Sequence, residues 1–310
     1  MRIVTIGEIL IDLTQTGVNG QNIPVYAANP GGAPANVAVA AARLGADAAF
    51  VGMVGSDGFG GYLTQVLEEN GVSTQGLRTG PGATTLAVVS VNGQGERSFQ
   101  FMRGADALLT ADQVDEALLA QAGVVHFGSV SLTADPARTA TLHAVEEARQ
   151  QGAVVSYDPN YRAALWDSRE EAVEWMRRPL PMVDILKLSD EEMELLSGSG
   201  DPQECSRRME EQGISLVLIT LGSQGVFYRF RGQTGVVPGV ATRVADTNGA
   251  GDTFLGAVLS RLSRRTQGVL DGLEREELED ILAFANRAAA VTCSRSGAIP
   301  AMPTLEELAE

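Results

Sequence analysis

Asp246-Thr247-Asn248-Gly249-Ala250-Gly251-Asp252-Thr253-Phe254 is the stretch on which the reading of this chain turns. It follows a strand-like region and opens the apolar run Ala250–Leu262, so it reads as a glycine turn leading into a helix. Gly249 to Gly251 would leave unpaired backbone N–H groups at that helix start. Small residues let phosphate oxygens approach there, and the helix dipole adds positive potential. Asp252 falls in the first turn, beside this anion cradle. A carboxylate so placed can take the proton of a hydroxyl that attacks a phosphoryl group. The competing reading is a plain helix cap with two turn glycines.

Outward from this segment the chain alternates. Strands are expected at Ile3–Ile6, Ala48–Val54, Val124–Phe127, Ala153–Tyr157, Ile185–Leu188 and Ser215–Thr220. Helices are expected at 36–44, 59–70, 136–151, 169–178, 202–212 and 275–293. Such alternation implies a mostly parallel sheet covered on both faces. Two β-rich runs, Thr85–Val91 and Arg97–Met102, flank Asn92-Gly93, a hairpin signal that suggests a small sheet standing off the main body. A second hairpin is expected through 225–231 and 234–238. The connection 264–273 reads as polar and exposed, and the acidic run 274–280 as a solvated helix face.

Composition removes several function classes. The 310 residues carry 23 Lys plus Arg against 39 Asp plus Glu, a formal charge of −16, which disfavours nonspecific nucleic-acid binding. Lys187 is the only lysine and stands between Leu186 and Leu188, so no Walker-A loop exists. Cys205 and Cys293 form no disulfide framework, and His126 and His143 no multi-histidine metal site or hydrolase triad. Glu8 and Asp12 interrupt the first apolar stretch before a signal peptide forms, and no run reaches the length of a membrane helix. These features lead us to expect a soluble, cytoplasmic protein without membrane or nucleic-acid partners. Trp166 and Trp175 read as packing residues, and Cys293 as core.

A second glycine segment is Gly31-Gly32-Ala33-Pro34-Ala35-Asn36-Val37-Ala38. Its glycines allow a polar ligand to approach the backbone. Asn36 offers a donor and an acceptor near a helix start, or else serves as an N-cap.

Together, the two segments resemble both signatures of the PfkB, or ribokinase-like, sugar kinases, with Gly45 and Gly55 continuing the N-terminal one. The resemblance extends from Gly7-Glu8 to Pro303. Phe127–Leu132, Ser156–Trp166 and Ser296–Thr304 look like the fructokinase branch. It implies one domain over 1–310, a Rossmann-like α/β core with a small β-sheet lid from about 10–30 and 84–103, and a homodimer through that lid. It also implies ATP-dependent phosphorylation of a sugar hydroxyl, most simply the 6-hydroxyl of fructose, with Mg²⁺ on the nucleotide. The alternative is 2-keto-3-deoxygluconate or another sugar of the family. A sugar or nucleotide sensor on the same fold is the non-enzymatic alternative.

Carried over by position, Asp252 is the base and Gly249, Ala250 and Gly251 form the anion hole. Asp12, Gly32 and Asn36 would hold sugar hydroxyls. Arg103 would reach the sugar or its product phosphate, or end a strand in solvent. Arg162 would neutralise the transferring phosphoryl group, its planar fork suiting phosphate oxygens, or form a loop salt bridge. Thr220, Gly222 and Gly225 resemble the stretch lining the nucleotide, and Asn286 the helix position near adenine. Where the family often has Asn-x-x-Glu, this chain reads Ser189-Asp190-Glu191-Glu192, and Glu192 would act on Mg²⁺ through water. Lys187, two residues earlier, would meet a nucleotide phosphate or simply bury its stem. Asp246 could serve a monovalent cation such as K⁺, as in some family members. The lid exit Phe101–Asp106 is shorter than the common fructokinase form.

Overall fold

The computed structural model describes residues 1–91 and 97–309. The strands are β1 (Arg2–Ile6), β2 (Leu10–Val18), β3 (Pro24–Gly31), β4 (Ala48–Gly55), β5 (Val72–Gly80), β6 (Leu86–Val91), β7 (Arg97–Met102), β8 (Ala122–Phe127), β9 (Val154–Tyr157), β10 (Ile185–Ser189), β11 (Leu216–Thr220), β12 (Val226–Phe230) and β13 (Gln233–Val237). The helices are α1 (Ala33–Arg43), α2 (Gly58–Glu69), α3 (Glu116–Leu119), α4 (Ala137–Gln150), α5 (Arg169–Arg177), α6 (Asp190–Ser197), α7 (Pro202–Glu210), α8 (Ala250–Leu262) and α9 (Arg275–Cys293).

Among the described residues, nine strands form the main sheet in the order β13-β12-β11-β10-β9-β8-β1-β4-β5. It is parallel from β11 to β5, and β12 and β13 add an antiparallel hairpin at one edge. Neighbouring residues of a strand serve opposite cores. Val4, Val125, Leu186 and Val217 face one buried cluster, while Ile3, Val124, Ile185 and Leu216 face another. A strand buried on both faces cannot alternate apolar with polar residues, which is why these segments are nearly continuous apolar runs. Burying a Val, Leu or Ile side chain stabilises the fold by roughly 1.5–3 kcal/mol.

The chain leaves β1 toward β4 and β5, then returns to place β8 on the other side of β1. Such a reversal opens a crevice beyond the carboxyl ends of the strands. Two helices bring their N-termini to it. Gly256 of α8 packs on α1, where an added Cβ would lie 2.6 Å from the Ala40 Cβ, so the two helices approach closely. At its far end α1 is held by Arg43, which donates to Asn70 Oδ1 and to the Met302 carbonyl, both at 2.6 Å. The Leu305 amide returns a bond to the Arg43 carbonyl, and Arg264 donates to the Leu44 carbonyl at 2.7 Å.

A separate sheet of the described strands has the order β3-β2-β6-β7. In it β2 runs antiparallel to β3 and parallel to β6, so Asp12 pairs with Asn29 on one side and Ala87 on the other. The strands β6 and β7 pair antiparallel as the hairpin signal predicts, while Asn92-Gly93 itself lies outside the described residues.

Two expectations need correction. The connection 264–273 is not simply exposed: Val269 and Leu273 are buried in the core beside α9. Cys293 is only partly buried rather than core. Strand β5 is absent from the sequence reading because Ser73-Thr74-Gln75-Gly76 and Arg78 break its apolar pattern at a sheet edge. Trp166 packs against the core, and Trp175 lies between the Arg138 and Arg178 guanidiniums, consistent with packing.

Candidate active site

A cleft of about 420 Å³ lies at the ends of the central strands, with the small sheet along one side. More open depressions elsewhere, one along α5 lined by Arg169, Glu174 and Arg177 and one at the start of α9 lined by Arg265, Glu274 and Glu277, lie away from the carboxyl ends of the central strands. The cleft is lined by Asp12, Gly32, Asn36, Arg162, Lys187, Ser189, Glu192, Asp246, Gly249, Gly251 and Asp252. It therefore gathers most of the residues singled out in the sequence.

The floor is built from helix starts. Gly249 is the N-cap of α8 in the left-handed region (φ 74°), and no side chain caps the helix. Its Cα leans on Ala298, where an added Cβ would meet the Ala298 Cβ at 2.9 Å. The first N–H groups of α8 are thus held toward the cleft in a backbone shape that favours glycine. Asp252 does not cap this helix. Its carboxylate is 7% exposed, and accepts from Asn36 Nδ2 at 2.8 Å on Oδ2 and from Asn160 Nδ2 at 3.0 Å on Oδ1. Burial pushes the Asp252 pKa up, while Asn36, Lys187, Arg162 and Asn160 pull it partly back.

Asn36 is likewise no N-cap, since α1 begins at Ala33 after Gly32 (φ 108°). An added Cβ at Gly32 would meet the Glu8 carbonyl at 2.6 Å. In place of a side-chain cap, Glu8 Oε1 accepts from the Ala33 amide at 3.0 Å. The Asn36 Oδ1 is buried without a protein partner, an acceptor left over at the cleft.

Lys187 does bury its stem, but its ammonium is also committed. Nζ lies 2.8 Å from Asp158 Oδ2, and an added Cβ at Gly251 would sit 3.2 Å from it. Burial works against the charged lysine, but Asp158, Glu192 and Asp252 outweigh it and hold its pKa above the ordinary value. Ser189 and Glu192 form a capping box at the start of α6. Glu192 Oε2 accepts from the Ser189 amide at 2.8 Å and Oε1 from the Tyr161 amide at 2.7 Å, tying the 159–162 loop to β10.

The walls are looser. Asp12, on β2, is partly buried, and burial pushes its pKa up to about 6, with Arg162 opposing. Arg162 is exposed in the cleft, and its guanidinium donates to the Tyr161 carbonyl at 3.0 Å. It forms no loop salt bridge among the described residues.

Arg103 departs from the expectation. It does not line the cleft. Its guanidinium pairs with Asp106 at 2.8 Å and donates to the Val130 carbonyl and Thr133 Oγ1, so it is no solvated strand end. Asp246 accepts from the Asn248 and Gly297 amides, shaping the approach to α8. Thr220, Gly222, Gly225 and Asn286 also lie outside the cleft lining, at the β10–β13 side. Thr220 pairs with Ser189 across the sheet, and Asn286 donates to the Val237 and Pro238 carbonyls.

Sequence reading missed Glu8, Asp158 and Asn160 as site residues. Each lies just past the carboxyl end of β1 or β9, where an α/β sheet binds ligands, and that rule could have flagged them.

The sequence profile described as pfkB family carbohydrate kinase matches residues 1–305. Fructokinase-1 of Zea mays is 43% identical over 312 residues, covering 99% of this chain and 96% of that one. Among solved structures, a fructokinase from Xylella fastidiosa with bound ATP superposes with a TM-score of 0.92 at 34% identity, covering 99% and 97% of the two chains. A fructokinase double mutant from Vibrio cholerae O395 in a form with fructose, ADP and potassium ion bound gives 0.88 at 32% identity, covering 99% and 97%.

Proposed function

Since the chain belongs to the pfkB family of carbohydrate kinases, we propose that it is an ATP-dependent fructokinase acting on the sugar's 6-hydroxyl, with Asp252 as the base. The observation that carries this reading is the buried Asp252 carboxylate, fixed on both oxygens beside an uncapped helix start. Asp252 takes the proton from the sugar O6 as that oxygen bonds to the γ-phosphorus and the bond to the ADP oxygen breaks. The N–H groups of 249–251 receive the developing negative charge, and no side chain need move to do so. Arg162 meets the transferring group from the solvent side, and the Lys187 ammonium adds positive potential from below Gly251.

Asp12, Gly32 and Asn36 hold the sugar. The Asp12 carboxylate accepts hydrogen bonds from sugar hydroxyls, and the unpartnered Asn36 Oδ1 accepts another. Thr220, Gly222, Gly225 and Asn286 line the nucleotide side. Arg103 enters as an anchor of the lid exit rather than a sugar ligand.

Relatives were crystallised with nucleotide and metal ions, and this chain fits the same use. The described residues hold no cluster of three or more His, Cys, Asp or Glu able to cage a metal. Mg²⁺ commonly keeps its waters and binds through substrate phosphates, so it would enter with ATP and help neutralise the phosphates. Glu192 is the carboxylate that would meet it through water, and Asp246 the group near a K⁺ ion. The small sheet serves as the lid of a single domain. Val18, Ile23, Val25 and Tyr26, at the β2–β3 end of this sheet, are exposed, which supports a homodimer through the small sheet. No helix of the described residues is long and apolar enough to cross a membrane, in keeping with a cytoplasmic enzyme.

A panel of sugars with coupled detection of ADP tests the reading. Fructose is expected to give the highest kcat/KM. Preference for 2-keto-3-deoxygluconate would replace the substrate, and binding without ADP release would favour a sensor. The acidic sugar needs a cationic partner, and with Arg103 turned inward only Arg162 remains in the cleft lining beside the committed Lys187.

A further inference from the structure

Asp252 receives its second hydrogen bond from a residue outside both glycine segments. Asn160 sits just beyond β9, and its Nδ2 donates to Asp252 Oδ1 at 3.0 Å, across 92 residues of sequence. Its backbone adopts the left-handed region, φ 48°, where glycine would be the less strained choice. The backbone conformation alone therefore does not call for an asparagine. Its neighbours are fixed as well. The Asn160 amide donates to Asp158 Oδ1 at 3.2 Å, the Pro159 carbonyl accepts from Ser129 at 2.9 Å, and the Tyr161 amide donates to Glu192 at 2.7 Å. The side-chain amide is thus presented by a loop with few ways to move.

We propose that Asn160 is a positioning residue for the transfer step, orienting the Asp252 carboxylate and stabilising its charged form so that it meets the sugar hydroxyl as a base. This rests on the reading of Asp252 as that base. Asn36 holds the other oxygen from α1, so the carboxylate is clamped from two elements that meet only in the fold. A neutral amide donor favours the carboxylate over the acid without competing for its proton. The charged groups facing Asp252 are Lys187 from β10, Arg162 and Asp158 from the β9 loop, and Asp12 from the small sheet. None of these is altered when only the Asn160 side chain is removed.

Asn160→Gly and Asn160→Asp separate this role from a general structural one. The glycine keeps the backbone conformation and loses the donor; the aspartate keeps the shape and adds like charge. For Asn160→Gly with fructose and ATP, the acid limb of kcat/KM is expected to move to higher pH by about one unit. Turnover at neutral pH should fall about tenfold, with the fructose KM changing less than kcat. Asn160→Asp should lose more, with its acid limb displaced further upward. An unmoved acid limb in Asn160→Gly, or a loss confined to the KM for fructose or ATP, overturns the proposal. The thermal midpoint of Asn160→Gly should stay near that of the unaltered protein, and a collapse there would assign the residue to folding instead. Asp252→Asn distinguishes the two failures. If it is inactive while the Asn160→Gly limb stays put, only the positioning role fails; if it retains normal turnover, the base itself is lost and this inference with it.

Discussion

The floor and the walls of the cleft are built by different physics. On the floor, Asp252, Asn36, Lys187 and Asp158 are buried, Asn36 donating to Asp252 and Lys187 pairing with Asp158, across α8, α1, β10 and the loop after β9. On the walls, Arg162 is exposed and Asp12 stands, partly buried, on the separate four-stranded sheet. Fixed groups lose little entropy when the reaction needs them, whereas mobile ones can follow a substrate in and out. The contrast separates a buried, interlocked floor from more exposed walls, and substitutions on each side should differ in how far they disturb stability.

The largest effect is expected from Asp252→Asn, which removes the base and keeps the shape. Turnover should fall by about 10²–10⁴-fold, the usual worth of a general base, while calorimetry still finds fructose and ATP binding. Unchanged turnover would dissolve the distinction. Because burial raises the Asp252 pKa, the unaltered enzyme should lose activity on acidification at a pH above the ordinary carboxylate range, since protonated Asp252 cannot act as base.

Lys187→Met comes next and should appear first in stability. It leaves Asp158 buried without its partner, a loss of about 3–5 kcal/mol for breaking a buried pair. Urea denaturation measures it. The penalty should shrink as pH falls, because a protonated Asp158 no longer needs the ammonium. Stability equal to the unaltered protein at neutral pH would place Lys187 with the walls.

Arg162→Ala should behave oppositely. Its side chain is exposed, so the denaturation midpoint should hold, while kcat/KM for ATP drops about 10–100-fold, as expected for a lost charge-assisted hydrogen bond. Arg162→Lys should recover only part of this, because lysine lacks the bidentate fork. Full recovery would mean that charge alone matters there.

What could be read without coordinates follows the same division. The main sheet was legible because strands buried on both faces are largely apolar, as in Ala48–Gly55 and Leu216–Ile219. The glycine turn that opens α8 was legible because Gly249 and Gly251 are local to one turn. Asn160 and Asp158 were not, since their partners Asp252 and Lys187 lie far along the chain and no local pattern records that pairing. The partners of Arg103 were not legible either: its place after β7 gives no sign that Asp106, three residues on, and the Val130 carbonyl take its guanidinium.

Helix α1 is pinned at both ends. Glu8 holds the Ala33 amide at one, and Arg43 joins Met302 and Asn70 at the other, with Leu305 bonded back to the Arg43 carbonyl. A rod fixed at two points transmits a push instead of absorbing it. The segment from Met302 to Leu305 thus anchors the far end of the same helix whose Asn36 holds the Asp252 carboxylate, so residues some 50 positions beyond Asp252 in sequence help fix the framework around it.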